Sequence, residues 1–232
     1  MKVASLDRPV TPTPKPDQTP YSGPGGVGRP ARRTAVWVGV LFLVQMITAM
    51  IGSSIVESFV PGSGGSAKLT TGVLLGISSG IAVAAIGFLM YPVLKLANNK
   101  LAGWYPAFRL IELAVSAAGG VYLLTQLKVL PNHMLLIYLP TGIGGLLLTY
   151  LLFVSRLVPR SIALLGLVGY ALLFFGAIAD LSGLVDMNNG PGLVLLAPGG
   201  LFEFVALPIW LFAKGFSFSG SGITQSAKGD IR

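Results

Sequence analysis

The hydrophobic residues of this chain fall into six long blocks, separated by short segments that carry polar residues, glycine and proline. The blocks cover residues 35–60, 69–97, 101–126, 133–155, 161–184 and 192–214. Each block is long enough to cross a hydrocarbon layer, which requires about 20 residues of helix. Because a backbone in lipid must satisfy its own hydrogen bonds, blocks this continuous predict helices. We therefore expect an all-α domain over residues 35–216, built as a six-helix transmembrane bundle.

The two ends of the chain differ from these blocks. Residues 1–34 contain seven prolines and few large apolar side chains. Such a segment buries too little surface to offset its chain entropy, so the pattern predicts a disordered, proline-rich tail. Proline-rich segments also bind partner proteins, and this alternative stays open beside a simply solvated tail. Residues 217–232 are predicted to form a second flexible tail.

The positions of the charges predict an orientation. The chain has 16 lysines and arginines against 8 acidic residues, a formal net charge of +8 at pH 7. Thirteen of these cations lie in the two tails and in the second and fourth loops, whereas the opposite side has only Lys68 and Lys128. By the positive-inside rule both termini are cytoplasmic, which agrees with an even number of helices. Because the charges follow the loops, the expected partner is the lipid bilayer and not nucleic acid.

Composition narrows the chemistry further. The chain is 53% hydrophobic and has no cysteine, which excludes disulfides and thiolate metal sites. The single histidine, His133, lies at a predicted helix end, so we expect no metal site and no cofactor. No pairing of a nucleophile with a base is recognisable in the sequence, so no catalytic residue is assigned and the protein is not expected to be an enzyme.

Three ionisable residues lie inside the predicted spans. Arg109 and Glu112 are three residues apart on the third helix, where they share a face, and Glu203 lies near the middle of the sixth. An unpaired charge at that depth costs about 3 kcal/mol, so such residues are expected to pair, either as a structural lock between helices or as a functional site. The group carries one net negative charge if all three ionise. Lys95, or Lys214, is a candidate to reach this polar core with its long side chain.

The sixth helix also contains a run that disfavours regular helix. Pro198, Gly199 and Gly200 stand just before Glu203. Proline removes a backbone donor and glycine weakens the helix, so a break or kink is predicted here. Broken helices beside an ionisable residue occur at the binding sites of transporters.

Small residues recur every four positions on two of the predicted helices. They are Gly72, Gly76 and Gly80 on the second helix and Ser116 and Gly120 on the third. Such stripes let helix backbones approach closely in lipid. They serve packing inside the bundle or between identical copies of the chain, and a homo-oligomer stays open on this reading.

Several stretches, in this order and spacing, resemble a family of bacterial multi-pass membrane proteins known as domain of unknown function 4386. They are residues 91–95 (YPVLK), 107–112 (AFRLIE), 155–160 (SRLVPR), 198–203 (PGGLFE) and 210–216 (WLFAKGF). The resemblance implies a compact bundle with Arg109, Glu112 and Glu203 as its polar core. It implies no activity, and it suggests the inner membrane of a bacterium as the location.

These observations leave three hypotheses for function. The first is small-solute or proton-linked transport or permeation through the polar core on the third and sixth helices. A cavity that lets water reach Glu203 would favour it. The second is a membrane scaffold that binds partner proteins, in which arginine and glutamate form a structural lock. A dry, closed bundle would favour that. The third, an intramembrane enzyme, lacks recognisable chemistry.

Overall fold

The computed structural model describes residues 29–59, 66–127, 133–187 and 190–217. These residues form five α-helices and a sixth, irregular helical span. The elements are α1 (Arg29–Glu57), α2 (Ser66–Leu94), α3 (Asn99–Gln126), α4 (His133–Ser155), α5 (Arg160–Leu181) and the sixth span (Gly190–Ala213). All six are long and apolar enough to cross a membrane. No strand occurs among the described residues. The prediction of an all-α bundle of six transmembrane helices is confirmed.

The observed helix ends lie within three residues of the predicted ones, with one exception. Helix α1 begins at Arg29, six residues before the predicted start at 35. The predicted block starts at the first apolar residues, whereas the helix already includes the polar turn that precedes them. Residues 29–34, predicted to be part of the disordered tail, are therefore helical. The rest of that predicted tail, residues 1–28, and most of the second one, residues 218–232, lie outside the described residues.

The loop between α2 and α3 has a clear local cause. The side chain of Asn98 caps α3 by accepting a hydrogen bond from the Leu101 amide at 3.1 Å. Asparagine at this position satisfies a donor that the helix leaves unpaired. This cap fixes the start of α3; α2 ends at Leu94, three residues before its predicted end.

The helices form a closed ring. Each of α1 to α4 packs against the helix that follows it, and the sixth span packs against both α5 and α1. Glycines of the α2 stripe make part of this packing close. A Cβ added at Gly72 would lie 2.8 Å from Cγ2 of Ile55 on α1, and one at Gly80 would lie 2.9 Å from Cδ1 of Leu113 on α3. These glycines therefore serve contacts inside the bundle.

The two halves of the ring are filled differently. The half in which α1 begins holds the main hydrophobic core, to which every span contributes; we call it the packed half. Its fully buried large side chains include Phe42, Met90, Tyr105, Leu151, Phe202 and Phe216. Beyond the sixth span the chain turns at Gly215 (φ 72°). The Ser217 amide then donates to the Leu157 carbonyl at 2.8 Å, which fastens Phe216 into the core.

The other half, toward which α1 runs, contains two small separate clusters; we call it the open half. One cluster joins α1, α2 and α3 through Val56, Leu69, Val73 and Leu123. The other joins α4, α5 and the following loop through Leu135, Ala177 and Met187. A cavity lies between them, and it extends to the middle of the bundle.

Candidate functional site

The sixth span changes helix type along its length. It begins as a 3-10 helix (Gly190–Leu196), continues as one α-helical segment (Ala197–Leu201), widens into a π-helix (Phe202–Ala206) and ends as α-helix (Leu207–Ala213). Short π-helical segments inside helices are rare and are frequent at functional sites. Here the widened turn contains Glu203.

The helix type of this span changes on both sides of the residues at which a break or kink is predicted. Pro198, Gly199 and Gly200 all lie within the α-helical segment, and the irregular turns lie on either side of it. Proline is tolerated there because it stands in the first turn, where its missing amide has no partner to lose. The two glycines have different roles: Gly199 allows a close contact with α5, and Gly200 leaves space for the cavity. A Cβ on Gly169 of α5 would lie 2.5 Å from the Gly199 nitrogen, and Gly200 lines the cavity.

Glu203 is held by two neutral donors from two other helices. Its Oε2 accepts a hydrogen bond from Nε2 of Gln45 on α1 at 2.9 Å. Its Oε1 accepts one from the hydroxyl of Tyr170 on α5. The backbone carbonyl of Gln45 accepts a hydrogen bond from the Ser79 hydroxyl on α2 at 2.9 Å. One hydrogen-bonded chain therefore connects α1, α2, α5 and the sixth span in the middle of the bundle.

Packing fixes the ring of Tyr170 beside this carboxylate. A Cβ on Gly145 of α4 would collide with the ring, so only glycine leaves room for it there. The edge of Tyr170 meets the ring of Phe202 with the centroids 5.9 Å apart at 71°. The phenol has little freedom to turn away, and its hydroxyl stays directed at Glu203.

Arg109 and Glu112 are brought together on α3. Nη1 of Arg109 donates to Oε2 of Glu112 at 2.7 Å, and the two residues are 3% and 7% exposed. This ion pair lies within a single helix, so it does not cross-link α3 to the sixth span. Glu203 makes no direct bond to Arg109 among the described contacts, although the two interact electrostatically.

The guanidinium of Arg109 lies between the cavity and the packed half. Its Cζ lies 5.1 Å from the ring centroid of Tyr105. Gly87 on α2 makes room for the stem of this side chain, because a Cβ there would lie 3.1 Å from the Arg109 Cβ, whereas a Cβ on Gly144 of α4 would be in ordinary contact with Nε at 3.8 Å. Nε and Nη2 have no hydrogen-bond partner among the described residues, and neither has the Tyr105 hydroxyl.

Lys95 does not join this cluster. It lies just after the end of α2 and is exposed, and its Nζ lies 6.0 Å from the ring centroid of Tyr91 on α2. Lys214 is exposed as well. Among the described residues Arg109 is the one buried cation, beside two buried carboxyl groups.

The cavity has a volume of about 770 Å³ and is lined by residues of all six spans. Its walls are mainly apolar. Its inner end, which we call the floor, is formed by the polar residues Gln45, Ser79, Glu112, Tyr170 and Glu203. Buried carboxyl groups at the end of an apolar cavity can hold a proton or a cation. No group of three or more potential metal ligands occurs among the described residues.

Sequence reasoning identified the ionisable members of the site and missed three neutral ones, Gln45, Ser79 and Tyr170. A signal existed for two of them. Gln45 is the one amide side chain in the apolar block of α1, and Tyr170 stands mid-span, away from the interfaces that tyrosine favours. Ser79 follows another serine, so no pattern distinguishes it.

The comparisons with known proteins agree with the resemblance seen in the sequence. The family model described as Domain of unknown function (DUF4386) matches residues 37–133 and 130–215. Searches of curated proteins and of solved structures gave no significant match. The two matched segments together cover all six spans, together with the polar floor of the cavity. The chain therefore belongs to the DUF4386 family.

Proposed function

We propose that this membrane protein transports a small solute across the bilayer in a process linked to protons, with the cavity as its binding site. The observation that carries the proposal is the 770 Å³ cavity that ends at Glu112 and Glu203. Volumes of roughly 300–1,000 Å³ are typical of small-molecule sites. The distribution of cations further supports an orientation with both termini in the cytoplasm.

The charges of the site support the link to protons. Arg109 neutralises Glu112, whereas Glu203 receives hydrogen bonds only from neutral donors. A third buried charge without a counter-ion would cost about 3 kcal/mol in the membrane. The site therefore holds either a proton or a bound cation. A group that exchanges one for the other is what a proton-linked transporter requires.

The scaffold hypothesis has one observation in its favour. The bonds from Gln45 and Tyr170 to Glu203 tie three spans together, as a structural lock would. A lock alone gives no reason for an open cavity beside it, because a void forfeits packing energy. Transport accounts for both the polar floor and the cavity, so it is the better-supported proposal.

Access to the floor from both sides of the membrane tests the proposal without knowledge of the solute. The chain has no cysteine, so a single one can be introduced at Ser79, which lies on the floor. Ser78 is the matched control, because its side chain lies outside the cavity, on the outer surface of α2 that lipid surrounds in the membrane. Both variants, Ser79→Cys and Ser78→Cys, are labelled with a small, membrane-impermeant methanethiosulfonate cation in right-side-out and inside-out vesicles.

A transporter must expose its site to each side in turn. Ser79→Cys should therefore react from both sides, faster from the side of the open half, while Ser78→Cys reacts from neither. Labelling after denaturation corrects for the amount of protein. Reaction of Ser79→Cys from one side only, or from none, would rule out transport and leave the scaffold.

A further inference from the structure

The cavity has an opening toward the lipid. Helix α1 packs against Phe202–Ala206 and Leu207–Ala213, whereas the outer part of the sixth span, Gly190–Leu196 and Ala197–Leu201, packs against α5. In the open half, α1 and the sixth span therefore stand apart. Met50 lines the cavity at this place and is 59% exposed, so the cavity wall continues into the lipid-facing surface.

The walls suit an apolar body of variable shape. Three of the six methionines, Met46, Met50 and Met134, line the cavity, together with valines and leucines. Methionine is flexible and polarisable, and it is common at surfaces that accommodate different ligands. A molecule that enters from lipid and stays in contact with these walls must itself be largely apolar.

The floor adds a requirement for charge. Glu112 and Glu203 both line the cavity, but Arg109 does not and is already engaged by Glu112. Without its proton, the floor presents a net negative charge to the cavity. In a site of low dielectric, a positive ligand is strongly favoured over a negative one of the same shape.

We propose that the cavity binds a lipophilic monovalent cation, which enters from the membrane between α1 and the sixth span and displaces a proton from the Glu112 and Glu203 carboxyl groups to water. This assignment of a substrate class rests on the transport function proposed above. The positive charge of the ligand replaces that of the proton, so the net charge of the site is unchanged. The apolar body replaces lipid or empty space along the walls.

Binding of tetraphenylphosphonium to the purified full chain in lipid nanodiscs tests the assignment. We expect saturable binding of one cation per chain with release of up to one proton into a weakly buffered solution. Tetraphenylborate, which has the same shape and the opposite charge, should not bind. Neutral triphenylphosphine oxide should bind weakly and release no proton. Equal binding of all three probes would show a site for any apolar molecule and overturn the proposal.

Variants locate the binding. Glu203→Gln should lower the affinity for tetraphenylphosphonium by about thirtyfold or more, as loss of one member of a buried charge pair does. Glu57→Gln is the matched control, because Glu57 is the exposed last residue of α1, and it should bind as the unmodified chain does. Unchanged affinity in Glu203→Gln contradicts the assignment.

A second measurement keeps Glu203 intact, in case its replacement impairs folding. Tetraphenylphosphonium should slow the labelling of Ser79→Cys in proportion to occupancy. If labelling proceeds from both sides but the cation gives no protection, the cation assignment is wrong and transport of another solute stands. If labelling never occurs from one side, transport itself fails, whatever the cation does.

The opening can be tested separately. A Cβ at Gly200 meets nothing within 4 Å, and this residue lines the cavity, so the side chain of Gly200→Leu begins in open space and should narrow the site. It should slow association of tetraphenylphosphonium. Gly103 also faces open space but lies outside the cavity lining, which makes Gly103→Leu the control. Equal association rates in the two variants would place the access route elsewhere.

Discussion

Nε2 of Gln45 donates a hydrogen bond to Oε2 of Glu203 at 2.9 Å, which joins the first and last spans across the middle of the bundle. Both residues are buried, at 7% and 9% exposure. Two residues separated by 158 positions in the chain thus close the ring at the depth where the cavity ends. The polar floor is consequently a structural contact as well as the site where we place the chemistry.

Loss of this contact should be measurable. Gln45→Leu is expected to destabilise the bundle by about 1–2 kcal/mol, within the range of interhelical hydrogen bonds in membranes. Thr48→Val is the control, because the Thr48 hydroxyl bonds only to carbonyls of its own helix. Unfolding in mixed micelles with increasing dodecyl sulfate measures both. Equal stability of the two variants would mean that the Gln45 bond contributes nothing.

The ion pair on α3 makes a different prediction. Arg109→Leu leaves Glu112 buried without its counter-ion, which is expected to cost about 3–5 kcal/mol. Adding Glu112→Gln should recover part of that loss, because the orphaned charge is removed. Adding Glu203→Gln to Arg109→Leu should recover less, since Glu203 is not bonded to Arg109. A double-mutant cycle in the same unfolding assay measures each coupling. Strict additivity for the Arg109–Glu112 pair would contradict the geometry.

Two glycines of one stripe should respond oppositely to alanine. Gly72 is in close contact with α1, so Gly72→Ala is expected to destabilise the bundle by about 1–3 kcal/mol through overpacking. A Cβ at Gly76 meets nothing within 4 Å, so Gly76→Ala should be neutral or stabilise by up to about 1 kcal/mol through helix propensity. Thermal unfolding of the two variants compares them directly. The reverse order would show that α1 and α2 are not packed as described.

Orientation in the membrane is a prediction from charge alone. Reporter fusions at Arg232 and within residues 186–190, between α5 and the sixth span, test it. A fusion at Arg232 should be active with a cytoplasmic reporter, and one in the loop with an external reporter, because the cations concentrate on the side of the termini. An external Arg232 would contradict the prediction that both termini are cytoplasmic.

The sequence predicts the six helices of this protein well, but it predicts the residues and contacts of the polar centre only in part. Six helices follow from apolar blocks because lipid leaves the backbone no alternative to helix. Arg109, Glu112 and Glu203 stand out for the same reason, since a charge in a span must be accounted for. The contacts among these residues depend on tertiary packing, which the pattern of apolar blocks does not specify. For the same reason Lys95, predicted to reach the polar core, is instead exposed. The π-helical turn around Glu203 likewise has no signature that distinguishes it from the proline and glycines just before it.

The central claim is that the cavity gives solvent access to Glu203, and infrared spectroscopy of the full chain in lipid tests it most directly. In acidic solution, where carboxyl groups carry an exchangeable proton, the C=O bands of Glu203 and Glu57 are assigned by difference between the unmodified chain and the variants Glu203→Gln and Glu57→Gln. On transfer to heavy water, the Glu203 band should shift as rapidly as that of a solvent-exposed carboxyl group, because water reaches the floor. A Glu203 band that stays unexchanged while the Glu57 band shifts would show a dry, closed centre and contradict the account.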